Sequence, residues 1–288
     1  MYRPCGSLLV VVAIAGTFAC GERQRVEPDS VVDTTSAATV VDRPADWASE
    51  LGPVLIVPSD TEQTGVVLFP GTPSPQLIAS APLTLVSPTG DVARANASLV
   101  VSDSQVCGEA PTIRIGEATA AWSVGLRMRS AVTLKMDSIQ ALPSSDSARL
   151  VADLARLAST VTASQESRFS GLPFVVLSAH QFDVTGTRTV VAHLVRRLPQ
   201  EASPLEEHTF VLGERPARPA GDAYVLRFEQ RSEGTEETAD HYEVLAAVRA
   251  GEITFLVLSR EQEARTVYEI LERGKTGWRV RWQRTLAC

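Results

Sequence analysis

From residue 172 to the C-terminus, apolar and polar positions alternate along the chain. A period of two sends successive side chains to opposite faces of a β-strand. "LPFVVLSAHQFDVTGTRTVVAHLVRR" predicts a hairpin around Thr185-Gly186, because a Gly-containing pair between β-branched runs signals a tight turn. In "AYVLRFEQR", Tyr224, Leu226 and Phe228 alternate with Arg227, Glu229 and Arg231. After the acidic loop "SEGTEETAD" come "HYEVLAAVR", "ITFLVLS", "RTVYEILER" and "WRVRWQR". In the last of these, Trp278, Val280 and Trp282 are predicted to face one way and Arg279, Arg281 and Gln283 the other. The pattern predicts a sheet with one buried and one wet face, and consecutive meander strands pair as neighbours. The expected product is one twisted, largely antiparallel sheet of six or more strands, curled or partly closed into a barrel.

Between residues 47 and 142 the apolar runs are shorter, and Pro70, Pro73, Pro75, Pro82 and Pro88 confine strands to edges or short pieces. Strands are predicted at 54–57, 65–69, 83–87, 98–101, 112–115, 121–129 and 132–138. One helix is well signalled. Pro143, Ser144, Ser145 and Asp146 are start residues, and Leu150, Val151, Leu154, Leu157, Ala158 and Val161 recur at helical spacing to give one packing face. The fold class is therefore α+β, predominantly antiparallel β-sheet with one main amphipathic helix.

The N-terminus has a different character. "MYRPCGS" is weakly positive, residues 8–19 are an apolar run of twelve, and small residues precede Cys20. That is the three-part layout of a signal peptide. Twelve helical residues span about 18 Å, short of a bilayer core of about 30 Å, so the run is not expected to be a stable transmembrane anchor. Thr17-Phe18-Ala19-Cys20 resembles the lipobox of bacterial lipoproteins, whose cysteine is diacylated and becomes the first mature residue. Ala19 and Cys20 fit; Thr17 stands where Leu is usual, and Phe18 is bulky. The resemblance covers only this signal. It implies a lipid on Cys20, a membrane partner through that lipid, and a place in the cell envelope, on the outer membrane or the periplasmic face. Gly21 is not the Asp that retains many lipoproteins at the inner membrane. Ordinary cleavage after Thr17-Phe18-Ala19 or Ala13-Ile14-Ala15, giving a secreted soluble protein, is the alternative.

This divides the chain into a signal at 1–19, a Ser/Thr/Asp/Pro-rich flexible tether at 20–46, a strand-rich region at 47–142, a helix and connection at 143–171, and the meander at 172–288. Cys5 leaves with the signal and Cys20 is acylated, so Cys107 and Cys288 remain as a pair in a compartment where disulfides persist. Such a bridge would close a long loop, for a stabilisation on the order of 5 kcal/mol.

Charge removes one class of partner. Without the segment that carries only Arg3, the chain holds 26 basic and 34 acidic residues, a net charge of −8. An acidic chain with no basic cluster is not expected to bind nucleic acid. All basic residues but Lys135 and Lys275 are arginine, which we read as composition bias.

The candidate chemistry is thin. His180 and His193 lie on opposite arms of the predicted hairpin and are opposed only if the turn is Gly186-Thr187; with the turn at Thr185-Gly186, His180 faces Val191. Two ligands do not make a zinc site, and the plainer reading is two polar residues on the wet face. "DVTGT" at 183–187 faintly resembles a calcium loop but carries only Asp183, so a turn explains it. "LEEHTF" sets Glu206, Glu207 and His208 near Arg196 and Arg197. Glu207 cannot share a face with both neighbours, and solvated loop charge is the expected role. Trp122, Trp278 and Trp282 are read as core, with an aromatic ligand cavity as the alternative. Asn96-Ala97-Ser98 forms a chance sequon. No residue is assigned to catalysis or to a metal, and no cofactor is implied. The expected role is a non-enzymatic envelope module that binds a protein partner or an apolar ligand, with a hydrolase lacking a recognisable motif as the alternative.

Overall fold

The computed structural model describes residues 47–58, 64–69, 82–90, 92–100, 110–115, 121–127, 131–162, 168–200, 204–217 and 223–287, all within one compact unit. Cys20, Cys107, Cys288 and the tether lie outside the described residues. The first strands are β1 (Leu55–Pro58), β2 (Thr64–Leu68), β3 (Pro82–Val86), β4 (Val92–Val100), β5 (Thr112–Ile115) and β6 (Val124–Leu126). Next come β7 (Ala131–Leu134), β8 (Asp137–Ser138) and the helix α1 (Ser144–Thr162). The meander comprises β9 (Val175–Val184), β10 (Thr187–Leu198), β11 (Leu205–Pro216) and β12 (Val225–Gly234). It continues through β13 (His241–Ala250), β14 (Ile253–Gln262), β15 (Arg265–Arg273) and β16 (Trp278–Ala287). Every described strand pairing is antiparallel, so the α+β class with a single amphipathic helix holds.

The meander does not form one sheet. It divides between β12 and β13 into two five-stranded sheets, ordered β12-β11-β10-β9-β8 and β16-β15-β14-β13-β7. The segment expected as a single strand at 132–138 serves both: β7 joins β13, and β8 joins β9. Barrel closure occurs in the N-terminal strands, ordered β1-β2-β5-β4-β3-β6 and sealed where Leu55 and Ile56 of β1 meet Leu126 and Gly125 of β6. So small a barrel has little interior space. At Gly65 a Cβ would stand 2.6 Å from Ile56 Cγ2 and 3.2 Å from the Trp122 ring, which is why that strand position lacks a side chain.

Four layers follow from the contacts. Leu150, Leu154, Leu157, Ala158 and Val161 of α1 cover one face of the first sheet, on Ala179, Val190, Ala192, Leu194 and Val211. Val151, off the stripe, is 37% exposed. The other face of that sheet, with Phe182, Val191, Phe210 and Leu212, packs on Tyr242, Leu256, Leu258, Leu271 and Trp278 of the second sheet. The far face of the second sheet, with Val248, Phe255, Val257, Ile270 and Trp282, rests on the barrel through Leu55, Val66, Leu68, Val124 and Leu126.

Covering both faces of both sheets overturns the expectation of a wet face. Residues 189–196 of β10 and 206–214 of β11 are buried without interruption, the burial normally seen in parallel sheets. Two register shifts correct the alternation as well. Leu212 pairs with Phe228 but Gly213 with Leu226, leaving Arg227 as an extra residue. Ile270 pairs with Trp282 but Leu271 with Val280, leaving Arg281 extra. One extra residue reverses the faces beyond it. Trp278 therefore sits between the two sheets and Trp282 against the barrel, not on one shared face.

Candidate functional site

The turn falls at Thr185-Gly186, with φ of 41° and 77°, the left-handed pair of a two-residue hairpin. His180 consequently opposes Val191, and His193 opposes Ser178, so these two histidines do not form a pair. His193 instead meets residues of β11. In the β10–β11 ladder, Arg197 opposes Glu206, Arg196 opposes Glu207, and Val195 opposes His208. His193 and His208 are thus diagonal neighbours on the face between the two sheets, within reach of long side chains.

Between the sheets, His193 Nε2 and His208 Nδ1 are 2.8 Å apart, and His208 Nε2 is 2.6 Å from Glu206 Oε2. Arg197 donates its Nε–H to the other Glu206 oxygen. From β13, the His241 ring lies 4.7 Å from that of His208 and 6.0 Å from that of His193. The Tyr242 ring lies 5.4 Å from His193 and stacks on Phe210 at 5.2 Å. His193, Glu206 and His208 expose 4%, 1% and 1% of their surface, which overturns the expectation of solvated loop charge at "LEEHTF".

Burial sets the protonation. It pulls His193 down to about 3, helped by the neighbouring His208 and His241 rings. It also lowers His208, against the opposing pull of Glu206. Burial alone would raise Glu206, but hydrogen bonds from His208 and Arg197 outweigh it and hold the carboxyl low. At neutral pH His193 and His208 are neutral and Glu206 is ionised. A carboxylate only accepts, so His208 donates its Nε2–H to Glu206, and its bare Nδ1 accepts the Nε2–H of His193.

A second polar group continues from Tyr242. Arg260 donates to Asp240 at 2.9 Å and pairs with Glu269 at 3.2 Å. Gln262 donates to Asp240 at 2.6 Å, and Gln230 of the facing sheet donates to Glu269 at 2.8 Å. Burial raises Glu269 in spite of Arg260, and it raises Tyr242 as well.

Glu207 points the other way, as strand geometry requires. It takes a bidentate pair from Arg196 at 2.7 and 3.1 Å and a third contact from Arg231 at 3.0 Å. The Arg196 guanidinium lies over the rings of Phe174 and Phe169, at 4.9 and 5.7 Å. Asp183 pairs with Arg188 at 2.8 and 3.0 Å beside the turn.

A His–Glu–Arg set invites an acid/base reading. In this arrangement both nitrogens of His208 are engaged by protein groups, His193 and Glu206. Neither of two surface clefts reaches it. One, of about 90 Å³, is lined by Asp146, Asp153, Arg188, Arg215 and Tyr224, and the other, of about 310 Å³, by Lys135, Asp137, Gln181, Asp183 and Arg188. Among the described residues no group of three or more His, Cys, Asp or Glu side chains is arranged to hold a metal ion. Trp122, Trp278 and Trp282 belong to three separate packed clusters and line no common cavity.

The cluster left one signal in the sequence. Arg196-Arg197 and Glu206-Glu207 are mirror-image charge pairs about a short connection, which antiparallel pairing matches sign to sign. Comparison with protein-family models, with curated proteins and with solved structures returned no match.

Proposed function

We propose that this chain is a non-enzymatic envelope module, held to a membrane by a lipid on Cys20, whose folded part engages a protein partner. The observation that carries the non-enzymatic reading is the closure of the His193–His208–Glu206 set, in which every described polar contact is to another protein group and neither described cleft is lined by its residues. A hydrolase would need one of these nitrogens turned toward a reacting atom.

A protein partner is favoured over an apolar ligand by where apolar surface emerges. Val132, Val225 and Val280 are 53%, 52% and 38% exposed and lie on the edge strands β7, β12 and β16. Val175 and Leu177, 55% and 40% exposed, lie on the part of β9 that the two-residue β8 leaves unpaired. Apolar residues on open sheet edges are the surface that strand addition uses. The address rests on the signal-like run and Thr17-Phe18-Ala19-Cys20. No helix among the described residues is long and apolar enough to cross a membrane. The Cys107–Cys288 bridge belongs to the same reading.

Fractionation of the native host cell tests the anchor. The wild-type chain is expected in the membrane fraction and extractable only with detergent, and Cys20→Ser is expected to abolish that association. A Cys20→Ser protein that stays on the membrane would overturn lipid anchoring.

A further inference from the structure

Three of the four histidines of the chain meet at one end of the sandwich, where β10 and β11 of one sheet face the start of β13 in the other. The groups around them come from every strand packed there. Arg197 is supplied by β10, Glu206 by β11, and Gln230 and Ser232 by β12. Asp240, which receives the Tyr242 hydroxyl, precedes β13; Arg260 and Glu261 come from β14, the latter opposite His241, and Glu269 comes from β15. Glu206 is already paired with Arg197, and Asp240 with Arg260. An added positive charge on His193 or His208 therefore meets two other rings within 4.7–6.0 Å, while Glu206 and Asp240 are already shared with arginines.

We propose that this cluster is an acid-sensitive latch between the two sheets, closed while His193 and His208 are neutral and opened locally when they take up protons. A proton on His208 breaks the relay, because a doubly protonated His208 has no lone pair for the His193 Nε2–H. A proton on His193 leaves that bond in place and puts a buried cation beside the Tyr242 ring, where a hydrogen bond to the Tyr242 backbone only partly offsets its burial.

The sign follows from burial. His193 and His208 are held below the ordinary histidine value near 6.5. The opened or unfolded chain then binds protons that the closed form refuses, so stability is complete above pH 6.5 and falls as pH falls. Glu206, held low, stays ionised through the upper part of this window. Glu269 and Glu243 are raised by burial and act with the opposite sign, which is why a wild-type curve alone does not isolate the histidines. The inference goes beyond the envelope reading and does not depend on it.

The test compares wild type with His193→Gln at pH 8 and pH 5, by denaturant unfolding and by amide exchange corrected for intrinsic rates. For a ring at about 3 in the closed form, His193 alone is expected to raise the unfolding constant about 30-fold between the two pH values, and the rise in His193→Gln is expected to be smaller than that of wild type by this factor. Exchange at pH 5 is expected to quicken first in β11 and β13 while the barrel strands keep their protection. Equal pH dependence in both proteins, or loss of protection uniform across the unit, would overturn the latch. If His193→Gln does not fold, imidazole NMR of the wild-type protein decides: a His193 midpoint below 5 supports the latch, and one near 6.5 sinks it.

Discussion

Replacing Glu207 with alanine is expected to destabilise the folded unit by about 3–5 kcal/mol, because it strands buried cations rather than merely deleting a contact. Arg196 is 2% exposed and Glu207 fully buried, with Arg231 converging on the same carboxylate. Removing the acid leaves Arg196 between Phe174 and Phe169 without its bidentate partner. For a unit of this size the midpoint should fall on the order of 10 °C in a thermal melt. A paired change, Arg196→Met with Glu207→Leu, removes both charges at similar volume and is expected to recover most of the loss. A Glu207→Ala cost below about 1 kcal/mol would mean that the pair is solvated in solution, contrary to its burial.

The second large effect is expected at Phe210. Its ring is fully buried, stacks on Tyr242 at 5.2 Å, and stands between the histidine end of the sandwich and the apolar remainder. Phe210→Ala opens a cavity that packed strands on both sides cannot collapse into, and about 3–5 kcal/mol should be lost. Val280→Ala, at a 38% exposed edge position, is the matched control and should stay within about 0.5 kcal/mol. Denaturant midpoints of the two variants check both. Equal midpoints would contradict a packed interface between the sheets.

Most of the meander strands, the helix and the turn at Thr185-Gly186 were legible because each is a local pattern, whereas β11 was expected as a charged loop. Leu150, Leu154, Leu157, Ala158 and Val161 recur at helical spacing whatever lies above them. What was not legible depends on non-local packing. Nothing within "SEGTEETAD" says that the chain leaves one sheet and enters another. The bulge residues Arg227 and Arg281 look like ordinary polar positions, yet one extra residue in each strand turns the next side chains to the opposite face. Glu206, Glu207 and His208 read as surface charge because charged residues rarely go inside. They are buried because a matching Arg-Arg pair lies across the β10–β11 hairpin and a second sheet closes over it. The charge complement was present in the chain, but the covering layer was not visible from it.

Intact mass of the protein taken from its native membrane tests the proposed address most directly. The proposed function predicts a chain that begins at Cys20, carries acyl groups on it, and is lighter by the two hydrogens lost in a Cys107–Cys288 bridge. A chain that begins elsewhere, or one with an unmodified Cys20, would contradict it.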